Sequence, residues 1–219
     1  MVMKEDFMVE FNQIKDELKE HARVRALEFW TREDLTHEEV FEAIRERDWL
    51  EMQYVIFLGT EIIKYWNEFD REIVTALCRH MLEEANHYEI LSRVIEKHGY
   101  EAPVATSEVN KGWEKIHWKA LEKDAVCAIA VWNCSETSTT TTHDIVIENC
   151  RRIGLDDLAK CYEKIKRDEN FHVGLGETII DKYMVTKEQI INATEGIRKF
   201  RDEMMGFYND IYEVSNQNV

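Results

Sequence analysis

Glu84 and His87 form one Glu-x-x-His spacing, Glu169 and His172 form another, and Glu51 and Glu136 each stand 33 residues ahead of the glutamate of one pair. A constant offset of 85 residues therefore relates Glu51, Glu84 and His87 to Glu136, Glu169 and His172, and it carries Glu83 onto Asp168. On a helix, Glu-x-x-His puts a carboxylate and an imidazole about one turn apart on one face, within reach of one metal ion or of two adjacent ions. Four carboxylates and two imidazoles suit divalent cations of hard to borderline character. A third such spacing, Glu114 and His117, has Met81 in place of a glutamate 33 residues earlier and is read as accidental. Glu61 lies ten residues beyond Glu51, about 80° further around a helix, and ranks below the six.

Positioning these groups requires long helices. The sequence has one proline and eight glycines, too few breakers for short strands and turns. Helix starts are expected at the capping box Thr36 to Glu39, at Asp70, Ser107 and Asp156, and at Thr186 to Gln189, with stops at Gly99 and Gly154. The expected helices run over 4–30, 37–67, 71–98, 108–153 with a kink near Asp124, 156–184 and 187–213. Segment 99–107, with room for a helical crossover, makes the one long connection. This is an all-α, ferritin-like four-helix bundle with extra helices at both ends, read as one domain over 1–219 with its metal-binding part at about 37–184. The stretch Ser135 to Thr142 has low helix propensity. It is kept helical because Ala125, Ile129, Trp132, Thr140, His143 and Ile147 continue a helical period.

Glu84 and His87 fall inside the apolar stripe Ile73, Leu77, His80, Leu91, Val94, and Glu169 and His172 inside Leu158, Tyr162, Ile165, Ile179. Charges placed there are costly unless they are paired or metal-bound. The pattern Glu51, Glu84-Ala85-Asn86-His87, Glu136, Glu169-Asn170-Phe171-His172 resembles the ferritin-like di-iron carboxylate superfamily, which includes rubrerythrins, ribonucleotide reductase small subunits, multicomponent monooxygenases, acyl desaturases and arylamine N-oxygenases. The resemblance implies metal ligands at Glu51, Glu84, His87, Glu136, Glu169 and His172, two iron ions or a manganese and iron pair, and dioxygen as co-substrate. Asp168 and Glu83 resemble the acidic residues that orient ligand histidines from behind. His80 is an additional candidate ligand, similar in placement to the extra histidine of arylamine N-oxygenases, although their arrangement would fall where Ile165 stands.

The expected activity is that of a non-haem di-iron oxidase or monooxygenase acting on a small organic substrate, served by an external reductase and compatible with a homodimer. The alternatives are a ferroxidase or iron-handling protein and a rubrerythrin-like peroxidase, the last lacking a four-cysteine electron-transfer module. Thr140 and His143, one and two turns beyond Glu136, are the expected catalytic groups on the oxygen side of the pocket. The competing reading gives the threonines hydroxyls bonded back to helix carbonyls. Tyr54, Leu58, Trp132, Tyr162 and Phe171 are candidate pocket walls.

A net charge of -16, from 28 Lys+Arg against 44 Asp+Glu, argues against nucleic acid and anionic membrane partners. No stretch has the length and apolarity of a membrane span, and the amino-terminal residues show no leader pattern, so a cytoplasmic location is expected. Five cysteines without CxxC spacing are expected to stay reduced.

Overall fold

In this computed structural model, which describes residues 3–213, eight α-helices and one short 3₁₀ turn account for the regular structure of the described residues. Met1 and Val2, on which the reading of the amino terminus partly rests, lie outside them. The helices are α1 (Lys4–Trp30), α2 (His37–Tyr65), α3 (Arg71–Lys97), α4 (Lys111–Lys123), α5 (Ala125–Thr140), α6 (His143–Arg152), α7 (Asp156–Tyr183) and α8 (Lys187–Glu213). The fold is the all-α, ferritin-like bundle: α2 pairs with α3, α5 and α6 run along α7, α3 meets α7, and α4 lies in the long crossover. Helices α1 and α8 pack on each other and on α5.

Local chemistry sets most of the boundaries. Thr36 accepts the Glu39 N–H while the Glu39 carboxylate accepts the Thr36 N–H at 2.8 Å, a reciprocal cap. Thr186 and Gln189 repeat it at the start of α8. Gly99 and Gly154 take φ of 87° and 83°, the left-handed conformation that ends helices, which glycine adopts without a Cβ clash. Ser107 does not start α4 but precedes it, accepting the Asn110 N–H and donating to Glu46.

The expected single helix over 108–153 is three helices. Asp124 is extended, with φ -166° and ψ 167°, and its side chain accepts the Cys127 N–H, so the expected kink is a full stop and restart. The second break, at Thr141–Thr142, was not expected. Hydroxyls of Ser138, Thr139, Thr140, Thr141 and Thr142 each donate to the carbonyl three residues back, saturating the acceptors of the last turn of α5. Nor does α5 carry an apolar stripe with a wet back: every residue from Ala125 to Thr139 is buried, so its apolar and small polar residues face protein on all sides.

Two apolar clusters fill the ends of the bundle. One joins the first half of α1 to the end of α2, the start of α3, α4, α5, the end of α7 and α8; the other joins the end of α1 to the start of α2, the end of α3, α6 and the start of α7. Between them lies a buried polar layer.

Candidate metal centre

The polar layer gathers all six expected ligands. Glu51, Glu84, His87, Glu136, Glu169 and His172 are each 0 to 1% exposed, one each from α2 and α5 and two each from α3 and α7. Their heads form two groups with metal-ligand spacing, His80, Glu84, Glu136 and His172 in one, and Glu51, Glu84 and His87 in the other. Glu84 belongs to both. Its Oε1 lies 2.9 Å from Nδ1 of His172 and 2.8 Å from Nε2 of His80, whereas its Oε2 lies 3.4 Å from Nδ1 of His87. One carboxylate thus presents an oxygen to each group. Glu169 sits at the margin of the first group, with Oε2 3.9 Å from Nδ1 of His172.

Behind the ligands the halves cross over. The Nε2 of His87, on α3, faces Asp168 of α7 at 3.3 Å, and the Nε2 of His172, on α7, faces Glu83 of α3 at 3.1 Å. Each acidic residue next to a candidate ligand glutamate therefore serves the histidine of the opposite half. A carboxylate at Nε2 keeps that nitrogen protonated and turns the Nδ1 lone pair inward, toward a metal position.

Several inward atoms have no hydrogen-bond partner among the described residues: Oε2 of Glu51 and Glu84, both oxygens of Glu136 and Glu169, and Nδ1 of His87 and His172. Buried acceptors left this way cost roughly 1–3 kcal/mol each, more when charged. Burial and then the Glu84 charge push the Glu136 carboxyl up to about 8. Burial and the neighbouring Glu136 raise Glu169 well above the carboxylate range. Burial would raise Glu84 too, but His172, His80 and His87 hold it well below its ordinary value. Burial opposes charge on His87, yet Glu51 and Glu84 bring it up to about 12. Without cations, burial and mutual repulsion favour protons on Glu136 and Glu169. Two divalent ions would replace those protons and match four carboxylates in charge, so the donor set fits a metal pair.

Arg47, which the sequence reading missed, brings a fixed positive charge into the layer. Its Nε donates to Glu51 at 2.8 Å, and its Nη2 lies 3.8 Å from Glu169. Burial disfavours its charge, but Glu51 and Glu169 hold its pKa well above the ordinary value. Its place four residues before Glu51 was visible, but such spacing is common among surface ion pairs.

His80 joins the first group and meets Trp132 edge-on at 5.0 Å. Glu61 is buried on the same side, and burial pushes it up to about 8 against the pull of the Trp132 indole. Glu114 and His117 lie apart from both groups: His117 stands in an aromatic cage of Tyr54, Phe57, Trp113 and Phe200, and Glu114 accepts from Trp118.

The expected oxygen-side pair separates. His143 lines a cavity of about 50 Å³, but the residues of the hydroxyl run that line it with His143 are Ser135, Thr139 and Thr142. Thr140 is outside this lining, half-buried, and donates to the Thr137 carbonyl. The reason is the break after Thr140, which interrupts the helical period meant to carry it into line with His143. Of the five aromatic and aliphatic wall candidates, Tyr162 lines this cavity. Tyr54 packs on Trp113, Leu58 is core, and Phe171 takes the Arg79 guanidinium over its ring at 4.0 Å. Tyr208, Phe207 and Met204 of α8 and Trp30 of α1 also line it, helices outside the four to which the sequence reading confined the site.

All five cysteines are free thiols. No helix among the described residues is long and apolar enough to cross a membrane.

No protein-family model matches this chain, and no curated protein matches it. Among solved structures, a CADD-like protein of unknown function from Nostoc punctiforme PCC 73102 has the same fold, with a TM-score of 0.69 at 12% identity over 96% of this chain and 99% of that one.

Proposed function

We propose that this protein binds a pair of iron ions in the polar layer and uses dioxygen to oxidise a small organic substrate, as an oxidase or monooxygenase supplied with electrons by an external reductase. The observation that carries the reading is Glu84, whose two oxygens face two separate ligand groups in the dry middle of the bundle. When bound, the metal pair supplies electrons to dioxygen in a site that the protein keeps closed to bulk water. Glu51 and His87 would hold one ion, His80, Glu136 and His172 the other, with Glu84 common to both and Glu169 beside the second. Asp168 and Glu83 fix the imidazole tautomers. Arg47 offsets part of the carboxylate charge, and the apolar clusters at either end exclude solvent.

The imidazole content supports retained metal over transit of iron: three histidines converge on the groups, with three carboxylates, and the borderline nitrogen ligands favour ions held in place. Protein produced in iron-supplemented medium should carry about two irons per chain, as in carboxylate-bridged helical bundles. After anaerobic reduction it should consume dioxygen in bounded amount until an organic substrate and a reductant are supplied. Steady accumulation of ferric mineral would transfer the reading to iron handling, and absence of metal would overturn it.

A further inference from the structure

Resting on the metal-centre reading, we propose that the cavity between α1, α2, α4, α5, α6, α7 and α8 binds the carboxylate group of the organic substrate through Arg47 and His143, and that it does so once metal ions have taken Glu51 and Glu169 away from Arg47.

The cavity walls are largely apolar, with Trp30, Leu50, Val146 and Phe207 among them. Two ionisable groups in it lack the hydrogen bonds that burial demands. His143 is 1% exposed, and neither ring nitrogen has a hydrogen-bond partner among the described residues. Burial and then the Arg47 charge push it down to about 3, so it stands neutral, with one donor and one acceptor idle. The Nη2 of Arg47 is also buried without a hydrogen bond. Three neighbouring hydroxyls are already used: Tyr208 bonds Ser138 at 2.6 Å, while Thr139 and Thr142 donate to backbone carbonyls.

A guanidinium edge and an imidazole N–H in an apolar chamber match a carboxylate, which accepts from both, whereas the fixed positive charge repels amines. Size narrows the ligand further. About 50 Å³ is a third of the roughly 150 Å³ cavity that takes up a benzene-sized guest. It suits a carboxylate head, and a longer body must displace α8 side chains such as Met204 and Phe207, leaving the acid anchored beside the metal layer.

The coupling follows from the ion pairs of Arg47. Its Nε is committed to Glu51 and its Nη2 faces Glu169. Cations bound to those carboxylates neutralise them, and the guanidinium then lacks a counter-ion that the cavity can receive from a ligand. By linkage, the acid should in turn tighten metal binding.

The test uses the whole chain loaded with manganese(II), and as probes acetate, hexanoate, benzoate, their amides and bicarbonate. Binding is read by calorimetry and by the fluorescence of Trp30 and Trp113, which line the cavity. An organic acid should bind the manganese form at least about fivefold more tightly than the metal-free form, the lower end of ordinary coupling between sites, and its amide should not bind. His143→Phe should keep its manganese and lose the acid. Arg47→Lys should weaken the acid severalfold, and Arg47→Met should abolish its binding. Equal affinity with and without manganese, amides binding as well as acids, or bicarbonate outcompeting every organic acid would overturn the inference while leaving the metal reading intact. Failure of the chain to take up manganese would overturn both.

Discussion

Glu51, Glu83, Glu84 and His87 on α2 and α3 have as counterparts Glu136, Asp168, Glu169 and His172 on α5 and α7, 85 residues later. At the same offset, Arg47, Leu58, Glu61 and His80 face no such likeness: their counterparts are Trp132, His143, Val146 and Ile165. The two halves thus agree where both must reach the same point and diverge at these four positions around it. The α2–α3 half adds polar groups, with Arg47 on Glu51 and His80 beside Glu84. The α5–α7 half adds space, since the break after Thr140 lets His143 line a cavity that also reaches Tyr162. A pseudo-symmetric ligand set in asymmetric surroundings gives the centre two sides, and chemistry on a bound molecule can take place on one of them.

Glu84 provides the strongest way to break this comparison. It stands in both ligand groups and Glu169 in neither, so Glu84→Ala should reduce bound metal from about two ions to near none, with affinity lost by more than about 100-fold, the upper end for residues merely supporting ligands. Glu169→Ala should retain one ion, and Glu114→Ala should retain both. Metal analysis after dialysis reads all three. Equal losses in Glu84→Ala and Glu169→Ala would make the halves equivalent.

The residues behind the ligands should behave alike. Glu83→Gln and Asp168→Asn each weaken the hold on the imidazole of the opposite half, and each should cost about 10–100-fold in metal affinity. Nitrogen-15 spectra of the histidines should show the tautomer loosened at His172 in the first variant and at His87 in the second. Effects on the histidine of the same half would refute the crossed arrangement.

The smallest effect concerns Glu61, whose counterpart is Val146. Burial pushes the Glu61 carboxyl up from an ordinary 4.5 to about 8, so it folds protonated. Because the unfolded group binds the proton less tightly, its contribution to stability is full below about pH 4.5 and is lost as pH rises through 8. Between pH 6.5 and 7.5 the loss should be on the order of 1 kcal/mol. Urea melts of metal-free protein should show that decline, flattened in Glu61→Gln. An unchanged slope in the variant would mean that other groups produce it, among them Glu136 and Asp48, which burial pushes up to about 8 and about 7.

Much of this was legible along the chain because helices are local. Capping boxes at Thr36 and Thr186, glycine stops at 99 and 154, and carboxylate and imidazole spacing within one turn all depend on residues a few positions apart. Even the burial of α5 as far as Thr139 had a signal: Ala125 to Val131 is an uninterrupted apolar run, misread as one stripe of a longer amphipathic helix. The second break in that segment had one too, in its hydroxyl run, but a hydroxyl can bond to its own backbone with or without ending a helix.

By itself, then, the sequence determined that the chain is helical, where most helices start and stop, and which carboxylates and imidazoles share a face, because each follows from a period of 3.6 residues and from caps within a turn. Only the tertiary structure decided that Asp168 serves His87 and Glu83 serves His172, that Glu84 faces two groups at once, that Arg47 reaches Glu169, and that α1 and α8 help to line the cavity beside His143. Those contacts join residues up to 122 positions apart. They depend on the rotation and depth at which whole helices pack, which is set by the summed burial of many side chains and leaves no mark in any short stretch of sequence.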